Sequence, residues 1–269
     1  MEKFDRFVVK HLMPLYWIGA FVWLFAISIL ADRYDIPAVA QFVLWTGGFL
    51  AWMRFLVSRA NALIKEPIKI FQEQCDPYPY LDEIQKRRTY SGPKAAKLNL
   101  LLAETVVMYD LGHYQEAYML LSPLENDMKA TMMRGTLMNY DCQMANVCRS
   151  LQKDQEAQAW LQKAREVYEK IKREDRKKQF RDVFLTHDAL TLLERQQYTQ
   201  ALQLLEQVAP KTMRERVVLS VNYAWVYLAQ GETEKAKEAL TFVAENGNKL
   251  DIATQARQML SEMEENTPA

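Results

Sequence analysis

The sequence predicts an all-α protein in which a two-helix transmembrane hairpin precedes an α-α superhelical solenoid of about four repeats with a C-terminal capping helix. Three features predict this fold: two long apolar runs near the N-terminus, a scarcity of helix breakers, and a pattern of small and apolar residues that recurs four times. Only eight glycines and nine prolines occur among the 269 residues. Such a composition is typical of a chain that is helical over most of its length.

Two apolar runs, residues 13–31 and 36–57, are each long enough to cross a bilayer. The first has no charged residue and the second has only Arg54, near its end. A helix rises 1.5 Å per residue, so about 20 residues cross the hydrocarbon layer of ~30 Å. A cleaved signal peptide has a shorter apolar core and is not followed at once by a second span. We therefore expect residues 1–61 to form a tail and a transmembrane hairpin, residues 62–97 a spacer, and residues 98–269 the repeat domain.

Basic residues flank the two runs unevenly. Lys and Arg are enriched on the cytoplasmic side of membrane spans. The sequence therefore predicts an integral protein of the plasma or inner membrane, with both termini and the repeat domain in the cytoplasm. The basic residues are Lys3, Arg6 and Lys10 before the first run, Arg33 between the runs, and Arg54, Arg59, Lys65 and Lys69 at and beyond the end of the second.

Gly47 and Ala51 lie one helical turn apart in the second run. Two small residues at this spacing let another helix approach closely. The pair packs either inside the hairpin or against a second membrane helix, which would come from another copy of the chain or from a membrane-protein partner. The sequence leaves both alternatives open.

An Ala followed four residues later by a Leu recurs along the C-terminal two thirds of the chain. Each pair has a small residue twelve positions before its Ala and an apolar residue three positions after its Leu. Small residues let the two helices of a hairpin cross closely, and larger apolar residues seal the seam. The pattern therefore predicts four helical hairpins. The pairs are Ala117 and Leu121, Ala157 and Leu161, Ala201 and Leu205, and Ala236 and Leu240.

The best copy contains the segment LGHYQEA at residues 111–117, in which Gly112 can end the first helix in a left-handed conformation. With this segment the chain resembles the tetratricopeptide repeat (TPR) family over residues 98–248, and residues 250–264 follow as a capping helix. Cys75, Asp76 and Pro77, which precede a short helix, also resemble the lead-in of bacterial membrane proteins with helical repeats. Because repeat arrays bury their core between neighbouring hairpins, we expect the residues from about Asp76 onward to fold without the anchor.

The chain departs from the family pattern in several places. Gln152 and Gln196 stand where the family has a turn glycine. The repeat alanines are spaced by 40, 44 and 35 residues, against a family period of about 34. Pro123 falls within the second helix of the first hairpin, which we expect it to kink or shorten.

The TPR resemblance implies that the first helices of the hairpins line a concave groove that binds a protein or peptide. Most side chains at the implied positions are apolar, so the groove is covered either by a partner or by the chain's own segments. Trp225 is the aromatic anchor that this register suggests. The implied groove positions are Leu102, Val106, Tyr109, Cys142, Asn146, Arg149, Thr186, Leu190, Leu193, Val221, Trp225 and Leu228.

Some TPR proteins bind acidic chaperone tails through a Lys and an Asn that lie one turn apart in the groove. Here Asn146 follows Cys142 instead of a Lys. A carboxylate bound beside Asn146 would lack its cationic partner. The sequence therefore argues against an acidic-tail ligand.

The charge balance of 34 basic against 34 acidic residues gives no general attraction to nucleic acid. A charged stretch at residues 163–182 has acidic and basic residues in i,i+4 pairs. We interpret this stretch as one extended, solvated helix and expect no nucleic-acid partner.

The sequence contains no motif for catalysis, for a phosphate-binding loop or for a metal centre. Its three histidines are scattered and its three cysteines form no metal-ligand pair. We therefore expect no enzyme activity, no cofactor and no metal, and a function as a membrane-anchored adaptor or scaffold that binds proteins or peptides at the cytoplasmic face. The alternatives are a peptide-sensing regulator with a ligand-responsive groove and an assembly factor for membrane proteins.

Overall fold

The computed structural model describes residues 2–90, 94–130 and 134–265, and the regular elements in these ranges are helical. The predicted all-α fold, with two long apolar helices before a TPR-like solenoid, is confirmed. The N-terminal helices are α1 (Glu2–Lys10), α2 (Leu12–Tyr34), α3 (Ala38–Gln74) and α4 (Tyr78–Arg88).

The helices α2 and α3 are long and apolar enough to cross a membrane. Their most apolar windows have a mean hydropathy of 1.9 and 1.2, and only 6% of each window is buried within the protein. A core helix of a globular domain would be covered over most of its surface. Most apolar side chains in these two windows are therefore left uncovered by the rest of the chain.

The seam between α2 and α3 is formed by two reciprocal contacts between a tryptophan and a glycine. Trp52 of α3 packs on Gly19 of α2, and Trp23 of α2 packs on Gly48 of α3. Each indole N–H donates a hydrogen bond of 3.0 Å to a backbone carbonyl of the opposite helix. A Cβ atom at either glycine would collide with the facing indole, so these two glycines fix the register of the hairpin.

The helix α3 extends far beyond the end of the predicted span. It continues through Pro67 to Gln74, although Pro67 cannot donate a hydrogen bond within the helix. Tertiary packing offsets the lost bond, because Phe71 is only 1% exposed and its ring stacks on Tyr80 of α4 at 5.7 Å. The segment expected to be a spacer is therefore packed into the core.

The repeats form four hairpins within the described ranges, each with a first and a second helix. The residues of the four Ala and Leu pairs are all at most 6% exposed, as are the four small residues on the first helices. The hairpin pattern read from the sequence is therefore present in the structure. The hairpins are α5 (Lys94–Asp110) with α6 (Tyr114–Leu121), α8 (Arg134–Ser150) with α9 (Asp154–Glu169), α10 (Glu174–Glu194) with α11 (Tyr198–Leu205), and α12 (Met213–Gln230) with α13 (Thr233–Asn246), followed by the capping helix α14 (Asp251–Glu265).

The turns inside the hairpins have the same left-handed backbone conformation, whether the turn residue is a glycine or a glutamine. Gly112 and Gly231 have φ angles of 80° and 76°, and Gln152 and Gln196 adopt the same left-handed region with 58° and 60°. In each turn a backbone hydrogen bond of 2.9 Å spans five residues and closes the end of the first helix. The left-handed conformation costs a non-glycine residue about 1 kcal/mol, and the hairpin packing offsets this cost.

Pro123 shortens the second helix of the first hairpin, as the sequence predicts. The helix α6 ends at Leu121, and the chain continues as a 3₁₀ turn (Ser122–Leu124) and the short helix α7 (Glu125–Ala130).

The prediction of one extended helix at residues 163–182 is wrong. The helix α9 ends at Glu169 and α10 begins at Glu174. The physical reason is Ile171, which is 7% exposed in the connection and belongs to a core cluster with Ala164 and Phe184. The chain turns here because this buries Ile171.

Candidate binding cavity

The two ends of the repeat array contact each other. Asp110 at the end of α5 binds Arg214 at the start of α12 through two contacts, of which Nη2 to Oδ1 is 2.9 Å. Tyr114 of α6 donates a hydrogen bond of 3.0 Å to Asp251 of α14. The first hairpin thus meets the last hairpin and the cap. The solenoid closes on itself instead of leaving an open groove.

The end of α3 and the helix α4 fill the space between the first and the last hairpin. Phe71, Cys75 and Ile84 are at most 1% exposed. They share one core cluster with Val107 of the first hairpin and Val221 of the fourth. The end of α3 and the helix α4 therefore complete the closure of the array.

The array lines a partly open cavity of about 360 Å³, whose walls are the first helices of the four hairpins and the connection between α11 and α12. This volume is within the range of ligand pockets. Of the groove positions implied by the sequence, the cavity brings together Val106, Tyr109, Asn146, Thr186 and Leu190.

The other implied groove positions lie outside the cavity lining. Three of them are core residues that are at most 7% exposed, namely Leu102, Cys142 and Val221. Leu193 packs against the core cluster of the third hairpin. Arg149 lies behind the wall, where it pairs with Glu194 at 3.0 Å. Trp225 is 38% exposed and Leu228 is half-buried, both away from the lining.

The cavity crosses the first helices diagonally. It contacts Tyr109 eight residues before its repeat alanine, Asn146 eleven residues before, Thr186 fifteen before, and Val218 eighteen before. The contact point moves by about one helical turn from each hairpin to the next, because the helices of a solenoid are rotated relative to one another. Positions taken at constant distances from the repeat alanine therefore lie on the cavity wall in the first three hairpins but not in the fourth.

The cavity lining has no excess of positive charge. The lining has three acidic residues and two basic ones. Burial opposes the charge on Arg214, but the carboxylate of Asp110 raises the pKa of Arg214 overall. Glu215 accepts hydrogen bonds from the backbone at the start of α12, in a capping box with Thr212. The cavity wall is therefore poorly suited to a strongly anionic ligand.

His187 of the cavity wall is 3% exposed and neutral. Burial and the neighbouring Arg149 and Arg165 lower the pKa of His187 to about 3. The guanidinium of Arg149 lies 3.2 Å from Nδ1 of His187. Because a guanidinium can only donate, Nδ1 is the acceptor and the ring proton is assigned to Nε2.

His187 should make stability depend on pH with a definite sign. The pKa near 3 in the folded state lies below the ordinary value of 6.5, so the unfolded chain binds the proton first. The stabilisation is complete above pH 6.5 and is lost as the pH falls towards 3. Compared with a His187→Gln variant, the wild type should lose about 1.4 kcal/mol per pH unit in this window. Urea unfolding of the full-length protein in mild detergent measures the difference, and parallel pH profiles would contradict the assignment.

Asp141 of α8 lies outside the cavity and provides a control, because its contribution to stability changes with pH in the opposite direction. It is 3% exposed, and burial raises the pKa of Asp141 from 3.8 to about 7. Its contribution to stability is complete below pH 3.8 and is lost as the pH rises to about 7. An Asp141→Asn variant should therefore gain stability relative to the wild type over that window. In the wild type, the pH dependences of stability that come from His187 and Asp141 have opposite signs and partly cancel. The single variants are therefore needed to measure each contribution.

Asn222 of α12 is the most unusual residue of the lining. It is only 6% exposed, and its side-chain amide makes no hydrogen bond to any residue that the structure describes. Asn146 of α8 also faces the cavity without a side-chain hydrogen bond in the described ranges. Both side chains line the cavity, so their amide groups are accessible from it. The two amides therefore offer unused donors and acceptors to a ligand.

None of the three cysteines is among the lining residues of the cavity. In the part of the chain that the structure describes, no three side chains of His, Cys, Asp or Glu are grouped to hold a metal ion. The three cysteines are buried, and burial raises the pKa of Cys75 to about 11 and that of Cys142 to about 12. Thiols with such pKa values form little thiolate near neutral pH.

The tetratricopeptide repeat family model matches residues 192–252. The match covers the end of α10, the helices α11 to α13 and the start of α14. Repeats of this family are in general non-catalytic and mediate contacts between proteins. No curated protein and no solved structure matches the chain.

Proposed function

We propose that this chain is a membrane-anchored, non-catalytic adaptor whose closed TPR-like array binds an extended segment of a partner protein in the cavity. The observation that carries the proposal is the side-chain amide of Asn222, which lines the cavity and has no hydrogen-bond partner among the described residues. An Asn amide has both a donor and an acceptor, which match the C=O and N–H of an extended backbone. The apolar lining residues would contact the side chains of the segment.

The anchor in this proposal is the hairpin of α2 and α3. Their apolar windows are covered to only 6% by the rest of the chain, so a lipid environment would remove a large apolar surface from water. The uneven distribution of Lys and Arg supports a cytoplasmic position for both termini and for the array.

The orientation predicts which positions react with a membrane-impermeant maleimide in intact cells. A cysteine at Tyr34, which is 65% exposed at the hairpin turn, should be labelled from outside. A cysteine at Met119, which is 59% exposed on α6, should be labelled only after lysis. The native cysteines are buried and give a low background. Labelling of the Met119→Cys variant in intact cells would contradict the orientation.

The face of α3 that carries Gly47 and Ala51 is a proposed contact for a second membrane helix. A Cβ atom on Gly47 would meet no atom within 4 Å, whereas Gly19 and Gly48 are already occupied by the seam of the hairpin. Both Gly47 and Ala51 are exposed. Of the two alternatives left open by the sequence, packing against another copy or a membrane-protein partner fits this exposure better.

The cavity should select peptides in a way that depends on Asn222. A displayed library of random 12-residue peptides is selected on the purified full-length protein in mild detergent. Binding of the selected peptides should fall about tenfold or more in an Asn222→Leu variant, because a buried hydrogen bond of about 1–3 kcal/mol is lost. Thermal unfolding should show that this variant remains folded, since the substitution removes an amide that has no partner in the described part of the chain.

Trp225→Ala is the matched control, because Trp225 lies outside the cavity lining. Peptide affinity should change by less than about twofold in this variant, as expected for a residue outside the contact area. Failure to select any peptide, or equal affinities for the wild type and Asn222→Leu, would contradict the proposed binding site.

A peptide-sensing regulator is the second candidate, and one contact favours it. Arg214 borders the cavity, and its guanidinium lies 5.0 Å from the centre of the Phe71 ring on α3. A ligand that moves Arg214 would therefore disturb the anchor helix. Hydrogen exchange in residues 58–75 that changes on addition of a selected peptide would favour the regulator, whereas unchanged exchange there would favour the adaptor.

A further inference from the structure

We infer that the segment bound in the cavity is an extended cytoplasmic stretch adjoining a transmembrane helix of another integral membrane protein. The segment is uncharged where it enters the cavity and basic where it crosses the rim. This inference rests on the proposed function, because it identifies the partner of the same cavity.

The length of α3 limits the height of the cavity above the membrane. The predicted span ends at Val57, and Phe71 follows fourteen residues later on the same helix. At 1.5 Å per residue, Phe71 lies at most about 21 Å from the hydrocarbon layer. Arg214 of the cavity wall lies 5.0 Å from the Phe71 ring. Because an extended chain covers about 3.3–3.6 Å per residue, roughly eight residues beyond a span are enough to reach this wall.

On the membrane side, α3 is held in place by contacts with α1 and α4. Asp5 of α1 pairs with Arg59 of α3 at 2.6 Å, and these side chains are only 7% and 22% exposed. Arg6 of α1 lies 3.4 Å from Glu83 of α4, and Arg87 binds the same carboxylate at 2.9 Å. Asp5 and Arg59 are largely buried, and the charge-assisted contacts of α1 link it to both α3 and α4. The three helices α1, α3 and α4 therefore form a fixed support.

The array side of the connection is fixed as well. Thr212 donates a hydrogen bond of 3.1 Å to Gln72. Asn248 donates one of 2.8 Å to the backbone carbonyl of Gln74. Together with the buried Phe71, these bonds join the end of α3 to the fourth hairpin and to the connection before the cap. The cavity is thus held at one height instead of moving on a flexible linker.

A cavity held at a fixed height favours partners that are themselves held near the membrane. A soluble partner can be bound equally well by an array on a flexible tether. A segment that emerges from a neighbouring span is itself held near the membrane, so a cavity within its reach meets it at a high effective concentration. Segments that lie farther from the membrane lose this advantage.

The charged residues of the lining indicate which kind of segment the cavity accepts. Asp110 and Arg214 in the wall bind each other, and His187 is neutral because burial lowers its pKa. The deeper wall therefore suits uncharged residues. The remaining charged residues of the lining are Asp182 and Glu215 against Lys211. This small acidic excess complements the Lys and Arg residues that flank the cytoplasmic ends of spans.

The test is site-specific photocrosslinking in cells that naturally produce the protein. Benzoylphenylalanine replaces Val183, which is 37% exposed in the lining, or Trp225, which is 38% exposed outside it. The Val183 position should give adducts with integral membrane proteins, and mass spectrometry should place the crosslinked residue within about fifteen residues of a span, about twice the minimum of roughly eight estimated above. The Trp225 position should not give these adducts, and Asn222→Leu should remove them.

The outcomes separate the inference from the proposed function. Adducts at Val183 that require Asn222 but join soluble proteins, another copy of this chain, or residues far from any span would overturn the inference and leave the proposed function intact. Absence of adducts at Val183, or adducts that persist unchanged in the Asn222→Leu variant, would overturn both.

Discussion

A fragment of residues 58–269 should fold cooperatively in solution, and a fragment of residues 76–269 should not reach the same stability. The shorter fragment lacks Phe71 and Cys75, which are 1% and 0% exposed in the core between the first and fourth hairpins. Within the longer fragment, Phe71→Ala alone should cost about 3–5 kcal/mol, as is typical for truncating a buried Phe. Urea unfolding followed by circular dichroism measures these differences.

The control for this prediction is an exposed apolar residue of the same array. Met119 is 59% exposed on α6, so Met119→Ala should change the free energy of unfolding by no more than about 0.5 kcal/mol. Equal stability of the two fragments, or a Phe71→Ala effect as small as that of Met119→Ala, would show that the end of α3 is not part of the core.

Breaking the contact between the ends of the array should also have a large effect. Arg214→Met leaves the carboxylate of Asp110, which is 7% exposed, without its bidentate partner. Removing one member of a buried ion pair costs about 3–5 kcal/mol. The double variant Arg214→Met with Asp110→Leu should recover most of this loss, because buried ion pairs and apolar residues of similar size are often equivalent in stability. Urea unfolding of the longer fragment compares the variants.

An exposed ion pair gives the matched control. Lys94 and Asp127 are 2.6 Å apart, with side chains that are 68% and 41% exposed. Lys94→Met should therefore cost less than about 1 kcal/mol. If Arg214→Met were equally mild, the buried pair would not be holding the first and last hairpins together.

The hairpins could be predicted from the sequence because their contacts are local. The Ala and Leu pairs recur at spacings of 35 to 44 residues, and each pair seals a seam within its own hairpin. The closure of the array depends instead on Asp110 and Arg214, which are 104 residues apart. No periodic pattern connects two such residues. The closure of the array therefore could not be predicted from the sequence.

Only some of the groove positions read from the sequence line the cavity, for a geometric reason. Tyr109, Asn146 and Leu190 were identified because a fixed register reaches the wall in their hairpins. In the fourth hairpin the wall has moved about one turn towards the start of α12. It includes Asn222, the neighbour of the implied Val221, and it leaves out Trp225. A register that advances by about one turn per hairpin would have identified Val218, which lies one turn before Asn222 on the same helix.

The extent of α3 was missed because local and tertiary effects oppose each other. Pro67 disfavours a continuous helix by removing one hydrogen bond. Burial of Phe71 next to Tyr80 and Arg214 favours the same helix. The sequence shows only the proline, and the contacts that outweigh it come from residues far along the chain.

The most direct test of the central claim is hydrogen exchange of the full-length protein with and without a selected peptide. If the cavity binds the peptide, protection should increase in the first helices α5, α8, α10 and α12 around the lining, where ordering by the ligand reduces local opening. The second helices α9, α11 and α13 should change little. Protection confined to these second helices, or an unchanged exchange pattern at saturating peptide, would contradict the account.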